Sequence, residues 1–96
     1  MTVRWMPLAE QDFEAAYDYV HQDSENTAKQ LTARILSAVG MLTPHPLAGR
    51  EGRAQGTRKL AVARTPRVIA YHIRQDGIQI LAVLHGAQRW PTPSSG

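Results

Sequence analysis

The run Arg67-Val68-Ile69-Ala70-Tyr71-His72-Ile73-Arg74-Gln75-Asp76-Gly77-Ile78-Gln79-Ile80-Leu81-Ala82-Val83-Leu84-His85 decides the fold. Two segments rich in β-branched and aliphatic residues, Arg67 to Arg74 and Ile78 to His85, flank one Asp-Gly pair. That order predicts a β-hairpin, because Asp-Gly readily adopts the two positive φ values of a type I′ turn. With Asp76-Gly77 at the centre, Gln75 faces Ile78, Ile73 faces Ile80, Tyr71 faces Ala82 and Ile69 faces Leu84. One face is then apolar throughout. The other sets Arg74 beside Gln79, His72 beside Leu81, Ala70 beside Val83 and Val68 beside His85.

Upstream, Arg58 to Arg64 is a third run with strand character, separated from the hairpin by Thr65-Pro66. Leu60 and Val62 fall on its core side, which leaves Lys59, Ala61 and Ala63 on the mixed face. Residues 43–56 hold Pro44, Pro46, Gly49, Gly52 and Gly56 and predict a surface loop. Before the loop, Ala28, Leu31, Ile35, Val39 and Leu42 recur at three and four residues, the period of a helix with one buried face. Asp23 and Ser24 can cap its start, and Pro44 bars its continuation. An earlier helix begins at Pro7, ends near His21, and sets Ala9, Phe13, Ala16 and Val20 on one side with Glu10, Asp12, Glu14 and Asp18 turned outward. The short link between the helices predicts an antiparallel helical hairpin. Val3-Arg4-Trp5 supplies an N-terminal edge strand. The fold class is therefore α+β: an N-terminal strand, a helical hairpin, then a three-stranded antiparallel sheet with the helices on one face. Residues 1–91 form a single domain and residues 92–96 a disordered tail.

Charge is unevenly distributed along the chain. Residues 1–25 carry one base, Arg4, against Glu10, Asp12, Glu14, Asp18, Asp23 and Glu25, whereas the remainder carries ten bases against Glu51 and Asp76. A surface rich in arginine suits phosphate or carboxylate partners, since a guanidinium offers two parallel charge-assisted hydrogen bonds. The chain has no cysteine, which excludes disulfides, thiolate metal sites and a cysteine nucleophile. His21, His45 and His72 lack ligand spacing, so no metal and no cofactor is expected. No apolar run approaches the roughly 18 residues of a membrane span, and Met1 to Trp5 lacks a secretory signal's apolar stretch. A cytoplasmic protein without a membrane partner is the expectation.

Five segments carry a family resemblance: Leu8 to Val20, Pro46-Leu47-Ala48-Gly49-Arg50, Gly56-Thr57-Arg58-Lys59-Leu60, Val68 to Ile73, and Ile80 to His85. In this order, over residues 3 to about 90, they resemble the RelE/ParE superfamily of toxins from type II toxin-antitoxin modules. The resemblance implies a growth-inhibiting toxin, encoded in a plasmid-stabilisation module and neutralised by a cognate antitoxin. RelE-like members cut messenger RNA in the ribosomal A site, whereas ParE-like members act on DNA gyrase and are not nucleases. The long helices and the basic tail after Val83-Leu84-His85 are similar to the ParE-like branch. A RelE-like site is rich in lysine with a tyrosine near the C-terminus; here the only lysines are Lys29 and Lys59, and Trp90 stands in the tail.

The residues leave both targets open. Metal-free RNA cleavage needs a base, an acid and cations for the phosphorane. His85 can serve as acid or base, as an imidazole can, with Arg67 and Arg89 as the cations, on the RelE-like alternative alone. Arg58, Lys59, Arg64 and Trp90 are candidates for contacting a target or nucleic acid. Phe13, Tyr17, Leu31 and Ile35 are candidates for an apolar groove between the helices that receives an amphipathic antitoxin segment, and an exposed edge strand can accept an extended one.

Overall fold

A computed structural model describes residues 2–86; Arg89, Trp90 and the tail expected at 92–96 lie outside them. The elements are β1 (Thr2–Trp5), α1 (Pro7–His21), α2 (Glu25–Leu42), β2 (Arg50–Glu51), β3 (Thr57–Ala61), β4 (Arg67–Arg74) and β5 (Gly77–His85). Helix α1 opens with Pro7 in its first turn, where a missing N–H costs nothing. The preceding Met6 N–H donates to the Ile80 carbonyl at 2.9 Å, which ties the helix start to β5. Ser24 caps α2, its Oγ accepting from the Thr27 N–H at 3.1 Å. All five apolar positions of α2 named by periodicity are buried, as are Ala9 and Ala16 of α1, and Phe13 and Val20 pack against the same core.

The sheet has five strands in the order β1-β5-β4-β3-β2. β1 runs parallel to β5 and every other pair is antiparallel. The sheet therefore holds two strands beyond the three expected after the helices. The N-terminal strand joins it directly, and Arg50–Glu51, inside the stretch read as loop, pairs with Lys59 and Arg58. The helices lie on one face, over a core built from Leu31, Ile35, Val39, Leu42, Val62, Ile69, Tyr71, Ile78, Ile80 and Val83. Helix α1 is the one that runs close along β5.

The hairpin register differs from the expectation by one turn position. Arg74 pairs with Gly77, so the two-residue loop is Gln75-Asp76, and neither of these has a positive φ. The glycine serves another purpose. A Cβ on Gly77 would collide with the Thr2 carbonyl of the parallel strand β1, so its bare backbone is what lets β1 approach. Further along, a bulge opposite Ala70/Tyr71 leaves Leu81 as the extra residue, since Tyr71 pairs with Ile80 and Ala70 with Ala82. A bulge reverses which face later residues occupy. Val83 accordingly enters the helix-side core, while Ala82 and Leu84 join Ala70 in a second buried cluster on the other face, the reverse of the regular alternation. Asp12 ties α1 to β5 beyond the end of β1. Rather than turning outward, its Oδ2 accepts from the Val83 N–H at 3.0 Å across 71 residues of sequence.

Candidate functional site

The candidate residues fall into four places, and the first is a structural network. Arg58 lies on the helix side of β3, paired with Tyr71. Its Nη1 donates to the Gly49 carbonyl at 2.6 Å, and its Nη2 is 4.0 Å from Glu51 Oε1. The Tyr71 hydroxyl, fully buried, donates to the Pro46 carbonyl at 2.7 Å and accepts from the Gly49 N–H at 2.9 Å. Gly49 has no room for a side chain, because a Cβ would come within 2.8 Å of the Tyr71 hydroxyl and 2.7 Å of the Lys59 carbonyl. The segment Pro46-Leu47-Ala48-Gly49-Arg50 is thus pinned to the sheet by one tyrosine and one arginine. Arg58, expected to meet a target, is engaged in holding that loop.

The second place is the end of the sheet where β3 turns into β4. Arg67 and His85 are register partners on β4 and β5, so the fold sets the expected cation beside the expected acid or base. Arg67 Nε is buried without a hydrogen-bond partner among the described residues, and its backbone N–H donates to Thr65 Oγ1 at 3.0 Å. Arg64 occupies the turn with φ 61°, a left-handed conformation uncommon for arginine. Its carbonyl accepts from Arg34 Nη1 at 3.4 Å. Arg34, missed by the sequence reading, comes to this end from α2; nothing in the α2 periodicity sets it apart from other outward positions.

The third place is the helix-free face of the sheet. Register puts Lys59 beside Arg50 and Ala70, and strand alternation turns Arg4 and Arg74 to the same side. No strand acid shares that face, since Glu51 pairs with Arg58 on the other side. Lys59 and Arg50 rim an open hollow of about 400 Å³ floored by Val68 and Leu84. Six of the eight acids lie on α1, the link to α2 and the first residue of α2, with Glu51 on β2 and Asp76 in the β4–β5 turn beside Arg4, so most of the uneven charge of the sequence becomes a separation between the helical and sheet surfaces. Lys59, Arg58 and Arg64 consequently do not form one patch. They occupy the free face, the helix side and the turn.

The fourth place is the helical hairpin. Leu31 and Ile35 are core residues, 6% and 0% exposed, and have no surface to offer a partner. That corrects the expected groove: the apolar stripe of α2 is spent on the sheet. Phe13 is half-buried, packed edge-to-face on Trp5 with ring centroids 5.4 Å apart, and Tyr17 stacks on His21 at 5.3 Å. The large apolar side chains left open are Leu8, Tyr19, Leu36, Met41 and Leu47. Leu36 joins Trp5 and Phe13 around a shallow depression rimmed by Glu10 and Glu14. Among the described residues no group of histidines and carboxylates is arranged to hold a metal ion, and no helix is long and apolar enough to cross a membrane.

Comparison with known proteins finds relatives both in sequence and in structure. The family model described as the ParE toxin of the type II toxin-antitoxin system parDE matches residues 3–90. A protein of Sinorhizobium fredii (strain NBRC 101917 / NGR234), named "Putative toxin Y4kP", is 37% identical over 89 residues, which cover 93% of this chain and 92% of the relative. A chain from the solved structure titled "Chromosomal ParDE TA system from P. aeruginosa" superposes with a TM-score of 0.79 at 28% identity, covering 88% of this chain and 95% of that one.

Proposed function

The chain belongs to the ParE toxin family of type II toxin-antitoxin systems, and on that premise we propose that it arrests bacterial growth by inhibiting DNA gyrase until a cognate antitoxin neutralises it. The observation that carries this reading is the span of the family match, residues 3–90, which takes in both helices and all of the strands except Thr2 at the start of β1. The exposed cations support it: Arg4, Arg74, Lys59 and Arg50 gather on the helix-free face with no strand acid among them, whereas Arg58 is bound to a loop. A binding inhibitor needs only a complementary surface, and the basic helix-free face is one.

The antitoxin reading rests on size and on the open apolar side chains. A domain of this length withdraws only a modest share of its surface from water, so a partner that covers Leu36, Phe13 and Trp5 would add stability by mass action. Tyr17, one turn on from Phe13 along α1, extends that surface toward the α1–α2 link.

One observation favours a second reading, an mRNA endonuclease of the RelE-like kind: the pairing of Arg67 with His85 at the end of the sheet. Induced expression in bacteria separates the outcomes. Growth arrest relieved by the antitoxin gene is expected, and the His85→Ala variant should arrest growth as the unaltered chain does. No arrest would remove the toxin reading, and arrest abolished by His85→Ala in a variant that still folds would transfer the assignment to the nuclease.

A further inference from the structure

The four cations of the helix-free face take no part in holding the fold. Arg4, Arg50 and Arg74 are exposed and Lys59 partly so. Among the described residues none of the four makes an ion pair or a side-chain hydrogen bond. Arg58 and Arg34 differ, since their guanidinium groups are bound to backbone carbonyls. Like charges gathered without a counter-charge repel one another and weaken the folded state. The fold itself therefore gains nothing from this placement.

Register fixes where the cations stand. Arg4 is opposite Gln79 and Gln79 opposite His72, so these three form one row across β1, β5 and β4. Arg74 lies two residues along β4 from His72, and Arg50, Lys59 and Ala70 form a second row. With strands about 4.8 Å apart and a rise of about 3.4 Å per residue, the band from Arg4 to Arg50 is about 20 Å long. Asp76 lines one hollow with Arg4 but makes no ion pair with it. The large apolar side chains left open, Leu8, Tyr19, Leu36, Met41 and Leu47, lie on the helices and the loop after α2 rather than on this face. A protein partner draws its affinity from a buried apolar or aromatic centre, whereas a phosphate backbone needs only cations and hydrogen-bonding groups. Trp5 and Tyr71 turn to the helix-side core, so among the described residues the face offers no phenyl, phenol or indole ring on which an unstacked base could lie. That favours a duplex over a single strand.

We infer that the helix-free face holds the phosphate backbone of duplex DNA, with Arg4, Arg74, Lys59 and Arg50 on phosphates and Gln79 and His72 as hydrogen-bonding groups between them. Such contacts fix position and carry no base sequence. The choice of polyanion rests on the gyrase reading above, because the duplex is the substrate of that enzyme; the array of cations without partners does not depend on it. The toxin then meets gyrase where the enzyme holds DNA, and touches the DNA directly.

The test uses the purified full chain without gyrase and a fluorescent DNA duplex of about 20 base pairs, long enough to cover the band. A duplex of scrambled sequence and a single-stranded RNA of the same length are the comparators, and anisotropy reports binding. Four phosphate contacts predict a slope of log affinity on log salt of about −3.6, so affinity should fall about a hundredfold between about 50 and 200 mM salt. Arg4→Gln, Lys59→Gln and Arg74→Gln should each weaken binding and reduce that slope by about 1, alike for both duplexes. Lys29→Gln removes the same charge from an exposed position on α2 and should leave the slope unchanged. Circular dichroism checks that each variant is folded. No binding of the duplex at low salt, tighter binding of the single-stranded RNA, or an equal effect of Lys29→Gln and the face substitutions overturns the inference. Supercoiling assays of the same variants keep the two readings apart. A chain that binds the duplex through these residues and leaves supercoiling intact keeps the face and loses the gyrase reading. One that inhibits supercoiling without binding the duplex does the reverse, and if the face substitutions then abolish inhibition the face meets protein instead.

Discussion

Tyr71 and Asp12 hold together parts of the chain that their places in the sequence do not connect. Tyr71 reads as one apolar position in an alternating strand, and its ring is indeed in the core. Its hydroxyl, however, bonds both Pro46 and Gly49, residues 25 and 22 positions away. A buried donor and acceptor deprived of their partner cost about 1–3 kcal/mol. Tyr71→Phe is therefore expected to lower unfolding free energy by that amount in urea titration, and to speed amide exchange at Gly49 ahead of the strands. Asp12 reads as a solvent-facing acid on an amphipathic helix. It instead satisfies the Val83 N–H, which lies on β5 past the last register pair with β1, Trp5 with Ile80, and Asp12→Ala should cost about 1–3 kcal/mol by the same accounting of an orphaned amide. Neither partnership is legible from spacing, because each is made across the fold by a side chain whose residue type also suits the simpler role.

At the scale of the elements, the periodic segments were legible and their pairing was not. Every apolar position that periodicity assigned to α2 is buried, and β4 spans Arg67–Arg74 as the alternation predicts. The helix cap at Ser24 was equally readable, since a side-chain oxygen before an apolar repeat is a local signal. Register failed at Gly77 for a physical reason. Glycine can mark a turn or a close approach of two backbones, and here β1, arriving from the other end of the chain, makes the second demand. Gly77→Ala is expected to push β1 from β5 and to destabilise the fold by about 1–3 kcal/mol, the cost of forcing a packed backbone to shift. Thermal denaturation checks the stability, and faster exchange confined first to residues 2–5 checks the cause. The bulge at Leu81 was likewise invisible, as no glycine or proline announces it. Its effect is to exchange Val83 for Ala82 and Leu84 in the helix-side core.

At the scale of the whole molecule, the separation of charge along the chain becomes a separation of surfaces. Acidic α1 lies on one side of the sheet and the row of Arg4, Arg74, Lys59 and Arg50 on the other. The expected cationic flank was thus legible, but its membership was not: Arg58 left it for the loop network, and Arg34 and Arg64 gathered at a different end. The family assignment followed from five short segments whose structural roles are now apparent, the Pro46 to Arg50 segment and Tyr71 being two sides of one network. What the family fixes is a toxin of a toxin-antitoxin system; the target is what the next measurement decides. The most direct measurement is a DNA supercoiling reaction with purified gyrase, run with the full chain in increasing amounts and then with antitoxin added back. The account predicts dose-dependent loss of supercoiling that the antitoxin reverses, with no cleavage of messenger RNA in a parallel ribosome reaction. Undiminished supercoiling at saturating protein, accompanied by cut message, would contradict it.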